Sequence, residues 1–220
     1  MINFHPDSNL MSEYSAGSLP LAQSACVSIH LNYCNSCQRQ SQRLQQVGSG
    51  LFERLSPQQV DDSLLDSVLA RLDEEPTLTY GSDGHSQESE YSYPALVQRL
   101  MAGDYADLEW KRVSGDLQVS QLRTGDRDHE FALYHIKAGG SIPQHTHRGT
   151  ELTLVLEGSF SDEAGVYHRG DFLIRDAEDK HSPTAAMTAD CVCIGVLDAP
   201  IRFTGWKFRL LNPFLKFAPL

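Results

Sequence analysis

The hydrophobic residues of this chain repeat with a helical period up to about residue 75 and with a period of two beyond residue 107. A helix needs apolar side chains three and four apart on one face. A half-buried strand needs them on alternate residues, and one segment cannot satisfy both. The chain is therefore expected to be α+β with two domains, a small helical one followed by an all-β one. Its 220 residues allow one large domain or two small ones.

In the first part, Asp7 or Ser8 caps a short helix with Leu10, Met11 and Tyr14, ending at Gly17. Pro20 opens a second helix with Leu21, Ala25 and Ile29 on one face. Cys37, Leu44, Val47, Leu51 and Leu55 carry a third, weakened locally by Gly48 and Gly50. A fourth is expected from about Gln58 to Leu72, with Val60, Leu64, Leu65, Val68, Leu69 and Leu72 apolar. Four short amphipathic helices make a small bundle, which a metal would help to staple. Residues 76–93, rich in acidic residues, Ser and Gly, are expected to be a flexible linker between a helical domain at 1–75 and a β domain at 94–220. A short helix is expected at Pro94–Met101. Beyond it, Leu117 and Val119, Phe131 and Leu133, then Leu152, Leu154 and Leu156 alternate with their neighbours. Turn signals at Gly125, Gly139, Gly158 and Gly170 punctuate them, as in a sandwich or barrel.

Charge narrows the partners. The chain carries 18 basic and 29 acidic residues, a formal charge of −11, and residues 1–90 hold 12 acidic against 4 basic, a net −8. Such a surface repels phosphates, so direct nucleic-acid or anionic-membrane binding is not expected, and a basic partner is. No basic start with an apolar run marks a signal peptide, and no apolar stretch reaches the roughly 18 residues of a membrane span. The five cysteines, an odd number, read as cytosolic thiols or metal ligands, so a cytoplasmic location is expected.

His30, Cys34 and Cys37 form an H-x-x-x-C-x-x-C run that places all three on one side of a helix end. Imidazole and thiolate are good zinc ligands, and structural zinc takes four in a tetrahedron. His5 is the only other histidine in the first 84 residues, and Cys26, one turn before His30, competes for the fourth place. Two free cysteines with a surface histidine is the plainer alternative. This run, inside a small four-helix domain near an N-terminus, resembles the zinc-associated anti-sigma factors. The resemblance implies a zinc site of His5, His30, Cys34 and Cys37, with Cys26 a buried helix residue. It also implies a bundle that wraps between the DNA- and core-binding domains of an extracytoplasmic-function (ECF) sigma factor. The acidic balance fits independently, because promoter-binding surfaces are basic.

The β part reads G-x5-H-x-H-x3-E-x6-G from Gly139 to Gly158. His145 and His147 share a strand face, Glu151 can join them, and His181 lies on a later segment that can neighbour them. Histidines plus one carboxylate suit Zn or another divalent transition metal. The run resembles the first cupin motif at every fixed position. The second cupin motif is matched at Gly170 and His181 but departs at Asp176, Glu178 and Ala185, where proline, glycine and asparagine are usual. The resemblance implies a jelly-roll cupin barrel with one metal held by His145, His147, Glu151 and His181. Cys191 and Cys193 share one face of an apolar strand, as small core residues or as a redox-sensitive pair near those ligands.

Both motifs in this order resemble the ChrR-like anti-sigma factors. That resemblance implies a non-enzymatic protein whose helical half inhibits an ECF sigma factor. The cupin half responds to singlet oxygen or related oxidants and offers a route to homo-oligomers. The competing reading is a metal-dependent cupin enzyme, of dioxygenase or isomerase type, fused to a regulatory zinc domain.

Overall fold

The computed structural model describes residues 2–61, 63–72 and 93–205. The expected linker, except Tyr93, and the C-terminal tail from residue 206 lie outside the described residues.

Among the described residues, five α-helices precede the β part. The first, α1 (Ser8–Ala16), starts at Asp7, whose Oδ1 accepts the Leu10 amide at 2.7 Å. It stops at Gly17, whose φ of 71° lets the following amides turn back to the carbonyls of Glu13 and Tyr14. The second, α2 (Leu21–Leu31), follows Pro20, which offers no side-chain cap. Its cap comes from far along the chain: Asp126 Oδ2 accepts the Ala22 amide at 3.1 Å. The third, α3 (Asn35–Phe52), continues through Gly48 and Gly50 and ends three residues before Leu55. The fourth, α4 (Ser63–Ala70), is shorter than the expected 58–72. Its apolar face finds no cover among the described residues to hold the outer turns. The expected short helix is α5 (Ala95–Met101).

Twelve antiparallel strands follow. A six-stranded sheet has the order β1-β2-β3-β11-β5-β8. Its strands are β1 (Lys111–Arg112), β2 (Leu117–Gln121), β3 (Glu130–Ile136), β11 (Cys191–Leu197), β5 (Glu151–Glu157) and β8 (Phe172–Arg175). Two three-stranded sheets close the barrel. One runs β10-β6-β7, from β10 (Thr184–Ala185), β6 (Ser159–Asp162) and β7 (Gly165–His168). The other runs β12-β4-β9, from β12 (Arg202–Phe203), β4 (His145–Thr146) and β9 (Lys180–His181).

The large sheet is buried on both faces, and side-chain alternation assigns each residue to one. Phe131 and Leu133 of β3, Leu152, Leu154 and Leu156 of β5, and Val192, Ile194 and Val196 of β11 belong to one apolar cluster with Met11, Ala22, Cys26, Val27 and Ile29 of the helices. Ile136, Val155, Phe160, Tyr167, Cys191 and Cys193 form a second cluster inside the barrel. All seven residues of β11 are buried, which explains its unbroken apolar run. The helical layer thus shares its core with the sheet. α2 is the buried element, with Cys26, Val27, Ile29 and His30 inaccessible to solvent. In α3 only Cys37 and Ser41 are buried, and in α4 no residue is.

Candidate metal centres

The first cluster sits where the N-terminal arm, the end of α2 and the start of α3 meet. His30 closes α2, Cys34 is the residue before α3, and Cys37 lies in its first turn. His5 reaches them from the arm, its Nδ1 3.4 Å from both Cys34 Sγ and Cys37 Sγ. One donor atom from each of His5, His30, Cys34 and Cys37 lies within 4.8 Å of all the others. His5 alone of the four is exposed. Cys26, the competing residue, is fully buried, and burial holds its thiol protonated far above the ordinary range.

The donor set fits zinc. With zinc–nitrogen and zinc–sulfur distances of about 2.0 and 2.3 Å, a tetrahedral nitrogen–sulfur edge is about 3.5 Å. The two His5–cysteine separations, each 3.4 Å, match it. His30 Nδ1 donates to the Gly170 carbonyl at 2.9 Å, so its Nε2 carries a lone pair, and that buried atom has no hydrogen-bond partner. Burial lowers the His30 pKa to about 4, with the Gly170 carbonyl opposing, so the imidazole is neutral at pH 7. Burial raises Cys34, but hydrogen bonds from Ser36 and Cys37 outweigh it and draw the pKa below the thiol value. Cys37 is pushed up to about 12 by burial and by Cys34 beside it. The two close sulfurs thus differ in how readily they ionise, and a cation would favour both thiolates.

The second cluster lines the barrel mouth. β4 and β9 pair His145 with His181 across the ladder. His147 follows β4, and Glu151 begins β5. His181 Nε2 lies 3.0 Å from His145 Nε2, 3.2 Å from His147 Nε2 and 3.8 Å from Glu151 Oε2. Glu151 Oε2 is 3.2 Å from His147 Nε2. His145 Nδ1 donates to the Pro143 carbonyl at 3.0 Å, and His181 Nδ1 to Asp162 Oδ2 at 3.1 Å. Both protons therefore sit on Nδ1, and two Nε2 lone pairs face each other at 3.0 Å. That contact is repulsive between neutral rings and is relieved by a cation between them. Burial, reinforced by His181 beside it, lowers His145 to about 4. Burial also lowers His147, with Glu151 opposing. Neutral imidazoles with one carboxylate suit a divalent transition metal.

A mostly apolar cavity of about 440 Å³ opens onto this cluster, lined among others by Leu117, Tyr134, Phe160, Cys193 and Phe203. Cys191 and Cys193 point into the barrel with their sulfurs 3.5 Å apart. The Cys191 contact and burial push the Cys193 pKa well above the thiol range, which leaves it a protonated, weakly nucleophilic group. Among the described residues, no other group of His, Cys, Asp and Glu converges as these two do.

Sequence reasoning missed the residues that orient the ligands. Asp162 holds His181, the Gly170 carbonyl holds His30, and Asp171 holds the arm that carries His5 through the amides of Asn3 and Phe4, at 2.7 and 3.2 Å. Only Asp162 left a local trace. Its Oδ1 caps the turn into β7 by accepting the amides of Ala164 and Gly165, the signature of aspartate three residues before glycine.

Comparison with known proteins places the chain in a family. A family model for the ChrR cupin-like domain matches residues 98–199. The anti-sigma-E factor ChrR of Cereibacter sphaeroides is 33% identical over 215 residues, covering 98% of this chain and 99% of the relative. The solved complex of Rhodobacter sphaeroides SigE with the anti-sigma ChrR matches at a TM-score of 0.77 and 31% identity, over 90% of this chain and 99% of that one. Nearly end-to-end identity at this level, across the helices as well as the cupin, shows that the chain belongs to the ChrR family of anti-sigma factors.

Proposed function

We propose that this chain binds and inhibits an ECF sigma factor through its N-terminal helices and releases it when its cupin domain senses an oxidant. The observation that carries the inhibitory half is the uncovered apolar surface of α3 and α4. Leu64, Leu65, Val68 and Leu69 of α4 are 48–65% exposed, and Val47, Leu51 and Phe52 at the end of α3 are 60–75% exposed. A helix whose four largest apolar side chains face water is stable when a partner covers it. The net charge of −8 over residues 1–90 suits a basic partner, and the related ChrR is an anti-sigma factor solved with SigE. In this reading the four helices complete a zinc-bound bundle on the sigma factor. Its boundaries are 1–75 for the helical domain, 76–93 for the linker and 94–220 for the cupin, and the protein works in the cytoplasm, where sigma factors act. The role is regulatory rather than enzymatic.

Four residues, His5, His30, Cys34 and Cys37, would hold zinc and so tie the arm, α2 and α3 together, adding binding energy to folding energy. His145, His147, Glu151 and His181 would hold the cupin metal, a redox-accessible centre beside Cys191 and Cys193. The high pKa of Cys193 favours chemistry at the metal ligands over direct attack by a thiolate. Among the described residues, no helix is long and apolar enough to cross a membrane.

The test uses the full chain with an ECF sigma factor. Wild type should co-purify with it, and Leu65→Asp with Val68→Asp should abolish the complex while leaving the cupin fold intact. Retained binding in that variant would refute the assigned surface. His145→Ala with His147→Ala should keep the complex and lose its release by singlet oxygen. Release at the wild-type rate would remove the cupin from the sensor role.

A further inference from the structure

The two clusters are joined by one hairpin. At one end of β7, the turn 168–171 holds the helical cluster. Gly170 O accepts from His30 Nδ1 at 2.9 Å. Asp171, fully buried, accepts the Asn3 and Phe4 amides on Oδ1 and the His168 amide on Oδ2. The Phe172 amide donates to Phe4 O at 3.0 Å. Both backbone polar groups of the residue before His5 are thus fixed to the cupin. At the other end, Asp162 holds the cupin cluster through His181 Nδ1 at 3.1 Å. Between the ends stands Tyr167. Its ring is 1% exposed and packs edge-on against Phe4, with centroids 4.8 Å apart. Its hydroxyl donates to Asp162 Oδ1 at 2.9 Å and accepts from Arg175 at 2.7 Å.

We propose that Asp162 and Tyr167 are positioning residues that couple the two metal clusters, so that the state of the cupin cluster sets the metal affinity of the cysteine–histidine cluster. The proposal rests on the reading that both clusters hold metal. Spatial continuity alone is not coupling. The further argument is that this path has no slack. The Asp162 side chain is wholly buried, and it accepts from His181, Arg175, Tyr167, Ala164 and Gly165 at 2.9–3.2 Å. His181 cannot shift with Asp162 still satisfied unless Tyr167 follows, because a buried carboxylate left unpaired is costly. Tyr167 in turn cannot shift without moving against Phe4, whose ring it meets edge-on with centroids 4.8 Å apart and whose backbone is fixed to Asp171 and Phe172. Phe4 carries His5, the one exposed ligand of the first cluster. Disordering His181 therefore loosens His5.

Cobalt titration of the full chain tests this. A cobalt–thiolate charge-transfer band reports the Cys34/Cys37 cluster, and a Cys34→Ser/Cys37→Ser control should lack it. His145→Ala/His147→Ala, which touches no residue of that cluster, should lower its cobalt affinity at least about fivefold, within the usual range of coupling between sites. Tyr167→Phe keeps the ring on Phe4 and removes the hydroxyl that links it to Asp162 and Arg175. In that background the same double substitution should change affinity less than about twofold, the non-additivity that a coupled network gives. Asp162→Asn, which keeps the shape of the side chain, should mimic the double substitution and guards against its failing to fold. Equal affinity in wild type, the double variant and Asp162→Asn would overturn the coupling. A loss undiminished by Tyr167→Phe would overturn the assignment of the two residues. Absence of the band in wild type would overturn the metal reading on which the proposal rests.

Discussion

Ile29→Ala tests whether the helical layer and the cupin sheet unfold as one unit. Ile29 is fully buried in α2, inside the apolar cluster that also holds Leu152, Leu154 and Ile194 of the sheet. The substitution deletes three carbons. At about 0.8 kcal/mol for each buried carbon the transfer loss is about 2.4 kcal/mol. Helix α2 lies between the sheet and the other helices, so the site cannot collapse freely, and the residual cavity raises the cost to about 3–4 kcal/mol. For a chain of this size the melting midpoint should fall by about 6–16 °C. The assay is thermal unfolding followed by two probes. Far-UV circular dichroism reports the helices. Fluorescence in a Trp206→Phe background reports Trp110, which packs on Tyr105 and His135, 5.0 and 5.8 Å between ring centroids. A shared core requires both transitions to move together. If the helical signal shifts while the tryptophan transition stays at the wild-type temperature, the two parts unfold independently and the reasoning fails.

Three further substitutions probe the supports of the first cluster. Cys37→Ser should lower the zinc content of the purified chain by about one ion, measured by atomic emission, and loosen the arm and α3, since metal binding in such a site is also folding energy. Gly170→Ala should destabilise the chain by about 1–2 kcal/mol in urea unfolding, the usual cost of a side chain at positive φ. Gly170 has a φ of 91°, and an added Cβ would stand 2.8 Å from Ile2 and 3.0 Å from Tyr33, so zinc affinity should fall as well. Asp126→Asn should cost about 1 kcal/mol at pH 7 by weakening the cap of α2. Burial raises the Asp126 pKa, but hydrogen bonds from Ala22, Asp128 and His129 outweigh it and hold it below 3.8. A depressed folded-state pKa gives stability that is present above pH 3.8 and lost as pH falls through the folded value. The gap between wild type and Asp126→Asn should therefore narrow in urea melts taken near pH 3, and a constant gap would refute the assignment.

What the sequence made legible is what chemistry encodes locally. Asp7 and Gly17 bound α1, because a cap and a left-handed turn each act within three or four residues. The H-x-x-x-C-x-x-C run and the cupin run bring six candidate ligands together by helical and strand spacing, whereas His5 and His181 join them only through the fold. The extent of α4 was less legible. Its apolar period continues to Leu72, but a helix lasts only as far as something covers it, and among the described residues nothing does. The alternation of Leu152, Leu154 and Leu156 identified a strand without saying which side was the core. Those three face the helices, whereas Val155 faces the barrel.

The orientation of the ligands was not legible at all, and the reason is distance along the chain. A histidine ligates through the nitrogen left free by whatever its other nitrogen donates to. For His30 that acceptor is 140 residues away, at Gly170. The arm that delivers His5 is held by Asp171 across 167 and 168 residues, and α2 is capped from 104 residues away. A spacing pattern cannot carry such information. A related chain could therefore keep all eight ligands yet lose Asp162, Asp171 or the turn at Gly170. It would read as intact by motif, while its imidazoles would be free to turn and its lone pairs would no longer converge. In this fold the cupin thus helps to build the first candidate metal cluster as well as holding the second. Six of the eight candidate residues are written in two short runs, but the energy that aims them is distributed across the hairpin that joins the two clusters.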